Sequence, residues 1–528
     1  MGDKVAQWVA WVVLATCLGL SGWHVYRFAA HSATALNFAY PLDGLEGTLL
    51  SEARLLRAGE PLYQPLRPDR FISAPYQPLS YVALAAAEQL AYGDGSAPRD
   101  SEEGSIFGPG RAISLTAIVG AGLLAALAAW RMAGTPLAGL LLIGLWLGFA
   151  PAQLWATRIK PDPLALLFTA AGLLAVAHRQ TAYGNEQEPP SKKLHSLYIP
   201  LAALCFALAF YTKQTALAAP MAVGLVLLFN GRRLGSERRL TTDIRPALVF
   251  ALIYLALIGS AWLGLQWLTG GQHAAHVLGL HSTEWWSVSL FYKYAGLLVE
   301  SAWPLMLALA LLLMVGLGSW LLRVRAPSPA VQPQVASLSS AYALCALAPL
   351  VLAGAEGAHH NHLLEPYLAL CLVSTTFVAR QRLPHNRWLR PIGTLLLLGQ
   401  LLLLTQRPAW YGGEFDLAQQ ARPQFIALIK SQPGEVLADD VALLLAAGRE
   451  LRYDDPSTMG PAARIGLWDQ SNLLREVAEG RFSLILLPFD ATQAERDPTG
   501  RWSPEFIAAL RTRYKLLYRD VIFSYVPR

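Results

Sequence analysis

Two carboxylates stand three residues apart in the segment Tyr40-Pro41-Leu42-Asp43-Gly44-Leu45-Glu46-Gly47, surrounded by apolar residues and glycine. If the segment is helical, acids at this spacing face the same way. A carboxylate beside a low-dielectric phase also has the raised basicity that a general base needs. The pair equally fits a capping arrangement for the helix that follows, with Glu46 near its positive end. Spacing leaves both readings open.

A second set of residues is basic. Arg111 opens an apolar stretch, Arg158 and Lys160 lie between two others, and Lys213 lies between the next pair. Cations at the rim of a helix bundle suit a lipid-linked phosphate, which arginine can hold bidentately, and a helix starting at Pro161 adds backbone N–H donors. The bland alternative is that these side chains snorkel to lipid headgroups. Asp162 is either a ligand or acceptor contact, or a helix-start carboxylate paired with Arg158. Histidines form a third set, His273, His276 and His281 in one loop and His359, His360 and His362 in another. With Glu284 or Glu356 their spacing allows a divalent metal without completing a ligand signature, so a metal is not obligatory. Asn361 and Glu365 stand at the mouth of a late apolar stretch, where they suit hydrogen bonding to a substrate.

The elements carrying these groups are membrane helices. Of 528 residues 54% are hydrophobic and 15% charged, which points to lipid as the main solvent. About eleven apolar stretches recur, near 7–24, 112–130, 136–155, 162–178, 196–211, 214–230, 246–268, 296–322, 338–354, 363–379 and 391–405. The first lacks a small-residue cleavage site and reads as a retained anchor. Arg131, Arg179, Lys192, Lys193, the run from Arg232 to Arg245, Arg323, Arg325 and the run from Arg380 to Arg390 all fall on one side. The short loops opposite carry only Arg158, Lys160, Lys213 and Lys293. The positive-inside rule then places residues 25–106 and 406–528 on the outer face. The net charge of +6 reports this topology and calls for no nucleic-acid partner. Cys17, Cys205, Cys345 and Cys371 lie in apolar runs and read as packing residues.

Within the first loop, Leu49, Ala53 and Leu56 define an amphipathic helix ending at Gly59 and expected on the membrane surface. A second helix runs from about Pro78 to Tyr92, and the polar segment Asp94 to Gly104 reads as flexible. The chain therefore divides into a transmembrane part, 1–405, and a soluble α/β part, 406–528. The second part has helical patterns at 415–430, 470–479 and 503–512, strand patterns at 434–438, 483–488 and 515–526, and enough length for its own core. It contains no phosphate loop or nucleophile elbow, so an accessory or acceptor-binding role is expected.

These features resemble the GT-C superfamily of membrane glycosyltransferases, in particular the protein O-mannosyltransferases and lipid A aminoarabinose transferases. The likeness spans about residues 7–405. It rests on Asp43-Gly44-Leu45-Glu46-Gly47, the run Leu55-Leu56-Arg57-Ala58-Gly59-Glu60-Pro61-Leu62-Tyr63, Pro75-Tyr76-Gln77-Pro78-Leu79 and Arg111. Arg158-Ile159-Lys160-Pro161-Asp162 and Tyr211-Thr212-Lys213-Gln214-Thr215 add to it. The resemblance implies an inverting enzyme that takes a sugar from a polyprenyl phosphate carrier to an acceptor hydroxyl on the outer face. The first-loop acid would be the base, and Arg111, Arg158, Lys160 and Lys213 would hold the phosphate. Many relatives have adjacent Asp-Glu, whereas two residues separate Asp43 from Glu46 here, so the base stays open between them. A lipid-carrier flippase or transporter is the rival class. It would favour paired halves with broken helices at mid-membrane depth, which the pattern does not display. A glycan ligase or polymerase shares the topology.

Overall fold

Proline and glycine set where these helices start and stop. In the computed structural model, described over residues 2–93, 105–184, 192–230, 244–283, 285–325, 338–355, 357–379, 389–406, 414–493 and 500–528 with short pieces between, the chain is mainly helical. The long α1 (Gly2–Leu36) covers the first apolar stretch and is followed by the two loop helices, α2 (Gly44–Arg57) and α3 (Pro78–Tyr92). Pro78 starts α3 and Gly93, at φ 61°, ends it. The bundle continues with α4 (Gly108–Ala133), α5 (Pro136–Gly148), α6 (Ala150–Ala156), α7 (Asp162–Gly184), α8 (Lys192–Thr212) and α9 (Ala218–Asn230). A short antiparallel pair, β1 (Arg232–Leu234) and β2 (Leu240–Thr242), leads to α10 (Arg245–Leu268). The one-turn α11 (Gln272–Ala274), then α12 (Val288–Arg325), α13 (Leu338–Leu347), α14 (Leu364–Ala379) and α15 (Leu389–Leu403) complete it.

Among the described residues, four helical segments are long and apolar enough to cross a membrane: Gly108–Ala133, Arg245–Leu268, Val288–Leu317 and His360–Ala379. A fifth arises if the bent pair α5–α6 is one span, and five further apolar helices are shorter. The single stretch expected at 136–155 is broken, with a bend of 74° at Phe149, where Pro151 starts a new helix. The break exposes carbonyls inside the bundle, and Gln153 Nε2 donates to two of them, Leu147 O at 2.9 Å and Gly148 O at 3.4 Å. Its consequence is positional: α6 is short, and the turn carrying Arg158 and Lys160 follows it directly.

Small residues let the inner helices approach. Ala117, Ala121, Ala125 and Ala128 of α4 are buried, and Gly172 of α7 sits where a Cβ would meet the Phe206 ring at 2.4 Å. The opposite surfaces stay apolar and uncovered, as at Leu252, Leu255, Leu263 and Trp267 of α10, which is what a lipid-facing helix requires.

From Glu414 the chain builds α16 (Glu414–Lys430), β3 (Glu435–Ala438), α17 (Val441–Ala446), α18 (Pro456–Arg464), α19 (Ser471–Glu479), β4 (Phe482–Leu487), α20 (Pro504–Arg513), β5 (Tyr514–Tyr518) and β6 (Phe523–Pro527). The sheet order is β3-β4-β6-β5, with β3 parallel to β4 and the other pairs antiparallel. The strand expected at 515–526 is a hairpin of two strands. Two expectations need correction. The core here is not self-contained, because Leu443, Leu444 and Ala446 pack in one cluster with Leu49, Leu50 and Ala53 of α2, and Phe71 joins the sheet-side cluster. The apolar face of α2 accordingly packs on protein, against α17 and α3 alike, instead of lying on a lipid surface. An amphipathic stripe looks the same in sequence whichever apolar phase covers it.

A cluster of acids ties these parts together. Glu52 of α2 is fully buried; its Oε1 accepts from Ser73 Oγ at 2.9 Å and from the Ala74 N–H at 2.5 Å, while Asp454 Oδ1 accepts from the Ser73 N–H at 2.9 Å. The two carboxyls are hydrogen-bond neighbours, and Oε2 of one and Oδ2 of the other find no donor elsewhere. Burial pushes the Glu52 carboxyl up to about 8 and Asp454 well above the carboxylate range, so the pair is held together by a proton. A folded-state value raised above the ordinary 4.5 means stability that is complete below about pH 4.5 and lost as pH rises through about 8. Thermal unfolding of the full chain in detergent is therefore expected to weaken across that window by on the order of a few kcal/mol. Glu52→Gln, which imitates the protonated acid, is expected to flatten the dependence. An unchanged pH profile in that variant would remove the shared proton from the account.

Candidate active site

Asp43 and Glu46, equivalent by spacing, occupy opposite environments. Asp43 caps α2: its Oδ1 accepts the Leu45 N–H at 2.9 Å and the Lys160 ammonium at 2.9 Å. The side chain retains 24% of its surface, and no described residue hydrogen-bonds to Oδ2. Burial alone would raise its pKa. The charges of Lys160 and Arg158, with the hydrogen bonds from Lys160 and Leu45, outweigh burial and hold the carboxyl well below the usual carboxylate range. The raised basicity expected for this segment is thus not what the neighbouring cations produce; Asp43 stands ionised, with one oxygen open.

Glu46 is fully buried and each of its oxygens already has two donors. Oε1 accepts from Arg111 Nε at 2.9 Å and the Ile159 N–H at 3.2 Å; Oε2 accepts from Arg111 Nη2 at 2.9 Å and the Leu42 N–H at 2.7 Å. Arg111, expected at the carrier phosphate, is itself fully buried. Its other N–H groups donate to Ala35 O at 3.2 Å, Phe38 O at 2.6 Å and Tyr40 O at 2.7 Å. All five guanidinium protons are taken, so no donor is left for a ligand. The pair clamps the end of α1, the Asp43 turn and the Ile159 turn against each other. Both residues thereby position Asp43 and Lys160 and leave the open site to them.

The second expected group assembles around one cleft, lined by Asp162, Thr169, Lys213, Asn361, His362 and Glu365. Lys213 Nζ donates to Asp162 Oδ1, and Asn361 Nδ2 donates to the same oxygen at 3.1 Å. Asp162 therefore pairs with Lys213, not with Arg158. Glu365 accepts from the Tyr342 hydroxyl at 3.3 Å.

The turn at 359–362 links the two groups. The Trp155 ring lies 5.8 Å from Lys160 Nζ and 5.6 Å from the His359 ring. Burial, then the positive charges of Lys160 and Arg158, push His359 down to about 4 despite Asp43, so it is neutral at pH 7. Arg158 is buried and faces the charges of Asp43 and Glu46. Arg158 and Lys160 thus meet at Asp43, and Lys213 stands across the histidine turn. Trp155 is a flanking residue that sequence reasoning does not single out, since a tryptophan in an apolar run carries no signal beyond packing.

The histidines of the loop at 273–281 are engaged with protein. His273 Nε2 meets Gln77 Oε1 at 3.1 Å, both ring nitrogens of His276 meet carbonyl oxygens at 2.6 Å, and His281 Nε2 meets Pro75 O at 3.1 Å. Glu284, Glu356 and most of the segment 94–104 lie outside the described residues. Among the described residues, no group of three His, Cys, Asp or Glu side chains is placed to hold a metal.

A helix bundle with a helical first loop, followed by a small α/β part, is a fold already seen in solved structures. The chain is similar over nearly its whole length to the solved structure of ArnT from Cupriavidus metallidurans bound to undecaprenyl phosphate, with a TM-score of 0.55 at 14% identity, covering 96% of this chain and 98% of that one. The apo structure of the same enzyme gives a TM-score of 0.54 at 13% identity, covering 96% and 97%. No protein-family model and no curated protein sequence matches the chain.

Proposed function

We propose that the protein is an inverting glycosyltransferase that moves a sugar from a polyprenyl phosphate carrier to an acceptor hydroxyl on the outer face of the membrane. The observation that carries the reading is the half-buried Asp43 carboxylate, with Lys160 on one oxygen and the other oxygen open. The solved ArnT structure that shares this fold holds undecaprenyl phosphate, which supports a polyprenyl-linked donor.

In this reading Asp43 Oδ2 takes the proton of the acceptor hydroxyl as its oxygen attacks the anomeric carbon. The bond from that carbon to the phosphate oxygen breaks, and the electron pair leaves with the carrier phosphate. Lys160, Arg158 and Lys213 offset the charge growing there, a contribution commonly of several kcal/mol. Lys160 also couples the two events. A carrier phosphate beside Lys160 competes for the charge that depresses Asp43, so donor binding itself raises the basicity of the carboxylate. Asp162 and Asn361 hold Lys213 in place, and Glu365 and Asn361 offer hydrogen bonds to the sugar hydroxyls. The charge stabilisation runs through side-chain cations, so a divalent metal is optional.

The test is incubation of the purified full chain with a panel of polyprenyl phosphate sugars, with and without a chelator. The expected result is carrier-dependent transfer or slow hydrolysis that survives chelation. Lys213→Gln is expected to weaken carrier affinity at least about tenfold, and Lys293→Gln to change it little. Equal losses in both variants would favour nonspecific headgroup contacts. Carrier binding with no bond cleavage for any sugar would favour a flippase.

A further inference from the structure

The part of the chain after Glu414 reaches the turn that holds Asp43. Asp440 caps α17, its Oδ1 accepting the Ala442 N–H at 3.2 Å, and that same oxygen lies 3.3 Å from where a Cβ on Gly44 would stand. A Cβ on Gly47 would lie 2.4 Å from the Ala442 Cα, so the first turns of α2 and α17 are in backbone contact, which glycine at 44 and 47 permits. Asp440 is held up by burial and faces the charges of Arg422, Asp43 and Glu46. Arg422 of α16 stands beside it. Its Nη1 is 3.4 Å from Asp440 Oδ2 but, buried, makes no hydrogen bond, and the guanidinium lies within electrostatic reach of Arg158.

Asp43 therefore has two flanks. On one are Lys160, Trp155 and His359, leading to Lys213. On the other are Asp440 and Arg422. In an in-line displacement the attacking oxygen and the leaving phosphate stand on opposite sides of the reacting carbon, and the base must touch the attacking side. With the carrier phosphate on the Lys160–Lys213 flank, the acceptor enters along the Arg422–Asp440 flank. The Arg422 guanidinium, partly covered at 18% exposure and with its buried Nη1 lacking a hydrogen bond, is a receptor for an anion on this flank.

Building on the transferase reading above, we propose that Arg422 is a specificity residue of the acceptor subsite, binding an anionic group, phosphate or carboxylate, carried by the acceptor beside its reacting hydroxyl. Asp440 is its counter-ion when the subsite is empty and orients the guanidinium when it is filled.

The experiment uses the full chain in detergent, first saturated with undecaprenyl phosphate and then titrated with inorganic phosphate as the acceptor-side probe, both followed calorimetrically. The wild type is expected to bind phosphate in addition to the carrier. Arg422→Gln is expected to weaken that second binding at least about tenfold, Arg422→Lys less, with carrier affinity retained in both. Circular dichroism and thermal unfolding check that the variants fold. Absence of a second binding event in the wild type, or loss of carrier affinity in Arg422→Gln, would overturn the assignment, the latter by moving Arg422 to the donor side. Failure of undecaprenyl phosphate to bind while phosphate still binds through Arg422 would remove the transferase reading and leave the anion site standing.

Discussion

Asp43→Asn is expected to fold, to bind undecaprenyl phosphate with near-normal affinity, and to lose about 10²- to 10⁴-fold in turnover, the usual loss when a positioned base is removed. The amide keeps an acceptor oxygen for the Leu45 N–H and for Lys160, so the cap of α2 and the contact across to the Lys160 turn survive. What is lost is the only feature a hydroxyl proton needs, an anionic oxygen with no donor of its own. A variant with near-normal turnover in single-turnover transfer assays would eliminate Asp43 and move attention to Asp162, whose Oδ1 alone is engaged by Lys213 and Asn361.

Glu46→Gln is expected to behave differently, failing first in folding. The substitution leaves the Arg111 guanidinium buried without its counter-ion and presents an amide N–H where the carboxylate had accepted from Arg111 or from the Leu42 and Ile159 N–H groups. Breaking one side of a fully buried ion pair costs about 3–5 kcal/mol. Low yield in detergent, a lowered unfolding temperature and loss of carrier binding together are the expected signature. A Glu46→Gln protein with wild-type thermal stability and carrier affinity but no turnover would reverse the assignment and make Glu46 the base.

These two outcomes turn on information absent from the local sequence. The acidic segment was legible because carboxylates among glycine and apolar residues outside a membrane helix are few. Which acid stays open depends on Arg111, and Arg111 looked like a phosphate ligand because it is a cation at the outer end of a span. Its true acceptors are the carbonyls of Ala35, Phe38 and Tyr40, where the backbone leaves α1 and frees them, and a sequence does not mark free carbonyls. Asp162, Lys213, Asn361 and Glu365 were legible as rim polar groups, and the cleft they line follows from their placement at helix starts and ends. Arg422 and Asp440 carried only the weak signal of Asp439-Asp440 ahead of the apolar run Val441–Ala446, a capping pattern that says nothing of what lies across from it. The break at Phe149 did have a signal in Pro151, masked by the unbroken apolarity around it.

The backbone contact of Gly47 with Ala442 gives the site an order of manufacture. The segment holding Asp43 is synthesised early, and the surface that seats it emerges only some 400 residues later, a delay on the order of 20–80 s at ordinary elongation rates. Until α17 arrives, Leu49, Leu50 and Ala53 lack Leu443, Leu444 and Ala446 among their partners, and the turn at Asp43 lacks its second wall. A nascent chain therefore carries the acid and its Lys160 contact before the wall formed by α17 is in place. On the transferase reading, a product interrupted before residue 440 lacks the flank along which the acceptor enters.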